Sequence, residues 1–148
     1  MGAQVSSEIK RQAAETRLRE VGVRLTTPRR LVLQALSSEP HDATAQEIHG
    51  RLRAGGSPVG LATVYRTLTL LQECGAVDAL SHRPGESCYR LCAPGHHHHL
   101  VCSACHQVQE LTECRLDDWL AGVGEKHGFH PTSHSLEVVG ICSACAAA

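Results

Sequence analysis

Apolar positions in the first ninety residues recur at helical spacing, interrupted by turn formers. Ser6-Ser7-Glu8 can start a first helix, with Ile9, Leu18 and Val21 among charged residues and an end near Gly22. Thr27-Pro28 then reads as N-cap and first helical residue, and Leu31, Val32, Ala35 and Leu36 place an apolar stripe on one face of a second helix. Thr44-Ala45-Gln46-Glu47 is a capping box, in which hydroxyl and carboxylate satisfy the first backbone amides reciprocally. It opens a third helix with Ile48 and Leu52 inward, broken by Gly55-Gly56-Ser57-Pro58. A fourth helix over residues 60–71 turns Leu61, Val64, Leu68 and Leu71 inward and leaves Thr63, Tyr65, Arg66, Thr67 and Thr69 outward, with Gly75 as its cap. Residues 76–80 and 87–91 read as strands joined by a turn at Arg83-Pro84-Gly85-Glu86. Helices followed by such a hairpin predict a winged helix-turn-helix over residues 1–91.

Beyond Cys92-Ala93-Pro94-Gly95, which reads as a hinge (92–95), the pattern changes. Residues 100–102 and 107–111 should pair as a hairpin, and residues 135–141 read as a further strand. Leu116, Trp119, Leu120 and Val123 fall at i, i+3, i+4 and i+7, which predicts an amphipathic helix over 116–127, ended by Gly128, with Trp119 in the core. Residues 96–148 are thus expected to form a small α/β unit, and the whole chain is of the α+β class. So small a unit buries little by itself, and its strand edges invite pairing with a second copy.

Charge separates the same two parts. Residues 1–90 carry 12 Lys+Arg against 9 Asp+Glu, whereas residues 91–148 carry 2 against 6 together with 8 of the 11 histidines and 6 of the 8 cysteines. The first part suits a polyanion and the second suits cations. The fourth helix supports this division, because its outward face has hydroxyls, an aromatic ring and a guanidinium but no acid before Glu73, a surface suited to phosphates and base edges. No apolar run approaches the length of a membrane span and no N-terminal signal pattern precedes the first helix. A soluble cytoplasmic protein without membrane partners is the expectation, and there paired cysteines are metal ligands rather than disulfides.

The densest chemistry is His96-His97-His98-His99 running into Cys102-Ser103-Ala104-Cys105. On a strand, successive side chains face opposite ways, so His96 and His98 can serve one metal site while His97 and His99 serve another. Cys142-Ser143-Ala144-Cys145 supplies a second Cys-x-x-Cys pair, and the two pairs can close a tetrahedral four-thiolate zinc site that leaves no position for a substrate.

Gly60-Leu61-Ala62-Thr63-Val64-Tyr65-Arg66, the histidine run with Cys102 and Cys105, and His134-Ser135-Leu136 ahead of Cys142 and Cys145 together resemble the ferric uptake regulator family, most closely its zinc-sensing branch. The resemblance spans about Leu18 to Cys145. It implies a metal-activated homodimeric repressor of zinc uptake genes, with an N-terminal winged helix on palindromic double-stranded DNA and a C-terminal α/β dimerisation domain. It also implies two or three zinc ions per subunit. Cys102, Cys105, Cys142 and Cys145 match a structural site; Asp78, Cys92, His97 and His99 match the regulatory site. His96, His98, Asp117 and His134 match a third site, with Asp where Glu is more usual; Asp117 stands equally well as a first-turn helix acid favoured by the dipole. Tyr65 and Arg66, with Thr63 beside them, match DNA-contacting residues, and Arg24 matches a basic residue that reaches toward the minor groove. Cys74, Cys88 and Cys114 match nothing and read as packing or incidental thiols, and His41 as a loop residue.

Other classes compete. A regulator of the same fold could sense iron, manganese or nickel, and a zinc-buffering protein would bind the metal without metal-dependent DNA affinity. A zinc hydrolase would need an open coordination position and a general base, and the sequence has no His-Glu-x-x-His or equivalent.

Overall fold

Two sets of elements, each with its own sheet, follow one another along the chain. The computed structural model describes residues 2–39 and 41–148, and these divide into two units, Met1–Pro94 and Gly95–Ala148.

The first unit contains α1 (Gly2–Glu20), α2 (Thr27–Ser37), β1 (Ala43–Thr44), α3 (Ala45–Ala54), α4 (Leu61–Glu73), β2 (Val77–Leu80) and β3 (Cys88–Leu91). Helix α1 begins ahead of the expected Ser6 start; it buries Ala14 and Leu18 but leaves Ile9 exposed, as is Val21 in the turn just beyond it. In α2 the cap is Thr26 rather than Thr27, because the first helical hydrogen bond runs from Arg30 N to the Thr26 carbonyl and places Pro28 inside the first turn, where its missing N–H costs nothing. The capping box at α3 forms as its sequence requires: Thr44 Oγ1 accepts from Glu47 N at 3.2 Å, and Glu47 Oε2 accepts from Thr44 N at 2.7 Å.

Val32, Leu33, Leu36, Ile48, Val64, Leu68 and Leu71 make the centre of the core, with Val77 and Leu91 contributed by the sheet. Thr67 is buried too, contrary to its expected outward position; the helix tolerates it because its hydroxyl donates back to the Thr63 carbonyl at 2.8 Å. Leu61 is only half-buried. The sheet has the order β1-β3-β2, all antiparallel, so the expected wing hairpin gains a short third strand. At the end of α4, Gly75 takes φ +69°, a left-handed turn that only glycine adopts without strain, and Ala76 N then closes onto the Leu71 carbonyl at 2.8 Å.

The second unit contains β4 (His98–Cys102), β5 (Val108–Leu111), α5 (Asp117–His127), β6 (Glu137–Gly140) and the short α6 (Ser143–Ala146). Strand β4 is central, antiparallel to β5 and parallel to β6. The parallel pairing sets His99 opposite Glu137 and Cys102 opposite Gly140, which delivers the chain at Cys142 beside the first Cys-x-x-Cys turn. Helix α5 ends at Gly128, in the left-handed region at φ 73°. Its apolar stripe does not form a core: Trp119 is 63 % exposed, Phe129 72 %, and Val138, Val139 and Ile141 on and after β6 are exposed as well. The expectation of a core Trp119 is therefore corrected. A sheet of three short strands with one helix of 11 residues and one of four has too little surface to cover a tryptophan from every side. No helix of the described residues is long and apolar enough to cross a membrane.

Candidate metal centres and nucleic-acid interface

In the first unit the exposed side of α4 carries Ala62, Tyr65, Arg66 and Thr69. The Thr69 hydroxyl donates to the Tyr65 carbonyl at 3.0 Å, and Arg66 Nη2 donates to Thr63 Oγ1 at 3.3 Å, which places Thr63, half-buried, beneath the guanidinium. The face is cationic and rich in donors. Arg24 lies exposed in the turn before α2, where its carbonyl accepts from Arg29. Asp78 sits on β2 opposite Arg90 of β3, half-buried, and Cys92 lies buried just beyond β3. The Cys92 N–H donates to the Ala76 carbonyl at 3.2 Å and its thiol to the Gly75 carbonyl at 3.4 Å, so the sulfur is held by the turn that follows α4.

In the second unit four sulfurs converge. Cys102, Cys105, Cys142 and Cys145 offer ligand atoms all within 4.8 Å of one another. The Cys105 and Cys142 sulfurs are 3.8 Å apart. A tetrahedron built on Zn–S bonds of about 2.3 Å has edges of about 3.8 Å, so the spacing is that of a zinc thiolate cage. The first knuckle closes with His106 N donating to the Cys102 carbonyl at 2.9 Å and with His106 itself at φ 60°, the one non-glycine residue at positive φ among those described. The Cys142 N–H donates to Cys102 Sγ at 3.3 Å. That amide, followed by the amides of Cys105 and Ala104, pulls the Cys102 thiol down to about 6, whereas hydrogen bonds with the Cys142 and Cys105 sulfurs push Cys145 up to about 12. Thus the Cys102 thiolate is ready, and a doubly charged ion is needed to draw the proton from Cys145.

A second cluster lies at the start of β4. His96 Nε2 is 3.2 Å from His98 Nε2 and 3.0 Å from His134 Nε2, which in turn lies 3.1 Å from Cys114 Sγ. Three imidazole nitrogens pointed at a common centre match the about 3.3 Å edge of a tetrahedron with Zn–N bonds of about 2.0–2.1 Å. Burial first, then the neighbouring histidines His96 and His134, hold the His98 imidazole below its ordinary range, so it stays neutral with a lone pair available for a metal.

The fourth ligand atom gathered here is the Cys114 sulfur, not a carboxylate of Asp117. Asp117 is exposed in the first turn of α5, where its charge meets the positive end of the helix dipole. Cys114 was not foreseen because it lies in the irregular link between β5 and α5, where no periodicity predicts which way a side chain turns. His97 and His99, on the alternate parity of the histidine run, stack edge to face with ring centroids 5.0 Å apart, and His99 is 8 % exposed.

Comparison with known proteins identifies the family. The model of the ferric uptake regulator family matches residues 20–139. The zinc uptake regulation protein of Mycobacterium tuberculosis is 44 % identical over 124 residues, which cover 84 % of this chain and 95 % of that protein. The ferric uptake regulation protein of Legionella pneumophila is 36 % identical over 129 residues, covering 86 % of this chain and 95 % of that one. Among solved structures, a zinc uptake regulator complexed with zinc and DNA superposes with a TM-score of 0.80 at 27 % identity, covering 95 % of each chain.

Proposed function

Because the chain belongs to the ferric uptake regulator family, we propose that it is a zinc-responsive, DNA-binding transcriptional repressor that acts as a metal-activated homodimer on zinc uptake genes. The observation that carries this reading is the gathering of two separate sets of soft ligand atoms in the second unit, four sulfurs and a three-imidazole, one-sulfur set, each at the spacing of a zinc tetrahedron. The four-thiolate set is closed and structural. Residues 1–91 act as the DNA-binding domain, 92–95 as the hinge, and 96–148 as the dimerisation and metal-binding domain. The exposed apolar positions around Trp119, Phe129 and Val139 are the surface a second copy covers.

Regulation rests on Asp78 and Cys92 from the first domain and His97 and His99 from the second. Thiolate and carboxylate neutralise a divalent ion, and two imidazoles complete a tetrahedral set; the thiolate selects zinc over harder ions. Ligands drawn from both domains make metal occupancy a constraint on how the recognition helices are presented. A palindromic operator demands half-sites about 34 Å apart or a multiple of this. If the DNA-competent arrangement holds zinc about 100-fold more tightly, occupancy shifts the equilibrium by about 2.7 kcal/mol. In α4, Tyr65 and Arg66 address base edges and phosphates, Thr63 positions the guanidinium, and Arg24 adds a phosphate or minor-groove contact. The site residues hold two or three zinc ions per subunit.

Zinc titration of operator binding, measured for wild type and Cys92→Ser, tests the assignment. The variant should need at least about tenfold more free zinc for half-maximal binding. An unchanged zinc midpoint removes Cys92 from the regulatory set.

A further inference from the structure

Three side chains with ligand chemistry meet at the base of the wing, apart from every site above. Asp42 immediately precedes β1, Cys88 is the first residue of β3, and His82 lies two residues beyond β2. With the sheet order β1-β3-β2 and Cys88 opposite both Thr44 and Leu80, these three segments end side by side. The ligand atoms of Asp42, His82 and Cys88 lie within 4.8 Å of one another, and His82 Nε2 is 3.3 Å from Asp42 Oδ2. The side chains of His82 and Asp42 are 1 % and 0 % exposed, and Cys88 is 0 % exposed.

We infer that Asp42, His82 and Cys88 form a further binding site for zinc or a similarly soft divalent cation, one that pins the wing to the body of the DNA-binding domain. A carboxylate buried to this degree needs a compensating charge, and a thiolate beside it would need another. A divalent ion meets both, since with one carboxylate and one thiolate the site is neutral. The ligand set is O, N and S, which zinc accepts with bonds of about 2.0–2.3 Å, leaving a fourth position for water.

Without a metal, burial and then the Asp42 charge push the Cys88 thiol up to about 12, so binding displaces one proton from Cys88 to solvent. Arg83 is close enough for its charge to act on both Asp42 and Cys88, while its Nη1 donates to Glu47 Oε1 at 3.0 Å. Entry is through the wing, because His82 sits in the loop between β2 and β3, whose residues Pro84–Ser87 are exposed.

The test uses the full chain equilibrated with zinc alone and counts metal by native mass spectrometry. Wild type should hold one more zinc per protomer than Cys88→Ser or Asp42→Asn, while Cys92→Ser keeps this ion, which separates the inference from the regulatory assignment. Equal counts for wild type and both wing variants would sink it, leaving a metal-free ion pair beside a thiol. Should the variants fail to fold, wild type loaded with cadmium-113 decides: scalar coupling from one cadmium to the Cys88 β-protons and the His82 ring is expected, and its absence overturns the site.

Discussion

The two units solve the problem of holding a small fold together by opposite means. In the first, an apolar core runs through α1, α2, α3, α4 and the wing sheet, with Val32, Leu33, Ile48, Val64, Leu68 and Leu71 essentially inaccessible to water. In the second, Val101 and Cys102 are the buried apolar residues among those described, while Trp119, Phe129, Val138, Val139 and Ile141 face outward. Burial at roughly 1.5–3 kcal/mol per large side chain therefore supports the first unit and hardly touches the second. What remains for the second is coordination chemistry within the chain and apolar contact with another copy. Stability of the first unit should follow hydrophobic packing, and that of the second should follow metal and protomer concentration.

The most severe way to break that contrast is Cys142→Ser. Structural zinc sites contribute on the order of 10 kcal/mol, more than a 54-residue unit can lose. The second unit and the dimer should be lost together, seen as a monomeric elution volume and collapsed dispersion of the second unit's amide resonances, with the first unit's resonances intact. Leu68→Ala makes the complementary cut. It should destabilise the first unit by about 2–5 kcal/mol in urea while zinc content stays unchanged. Equal loss of both units in either variant would show that they do not stand independently.

pH sharpens the same comparison. Cys145, pushed up to about 12, keeps its proton in the metal-free protein throughout the working range and must release it on binding, so zinc affinity of the four-thiolate site should rise with pH, about tenfold per unit from this proton. Cys102, pulled down to about 6, is already a thiolate above that pH and adds a further proton to the exchange only below it. The slope of log affinity against pH, measured by competition with a chelator, should therefore steepen below about 6. The smallest effect is expected at the imidazole cluster. Cys114→Ala should weaken its zinc by about tenfold, whereas Asp117→Ala should leave it nearly unchanged. The reverse ranking would return the ligand role to the carboxylate.

Local rules made much of this molecule legible beforehand, and the limits of those rules mark the rest. A capping box needs only residues three apart, so Thr44 and Glu47 announced α3. The two Cys-x-x-Cys turns announced four sulfurs brought together, because each pair is closed within four residues. Strand parity alone divided the histidine run into two faces. None of these rules reports which segments lie side by side. The two-residue strand β1 exists because β3 is there to pair with it, and Asp42, His82 and Cys88 meet because the order is β1-β3-β2. Thr67 is buried because its hydroxyl found a carbonyl on its own helix, an option the apolar pattern does not register. Cys114 joins the imidazoles because the link into α5 bends it there. The pattern through Trp119 and Val123 identified an apolar face correctly, but whether such a face is covered by its own domain or by another copy depends on how much surface the fold has to offer. That is a property of three dimensions, and here the domain is too small to supply it.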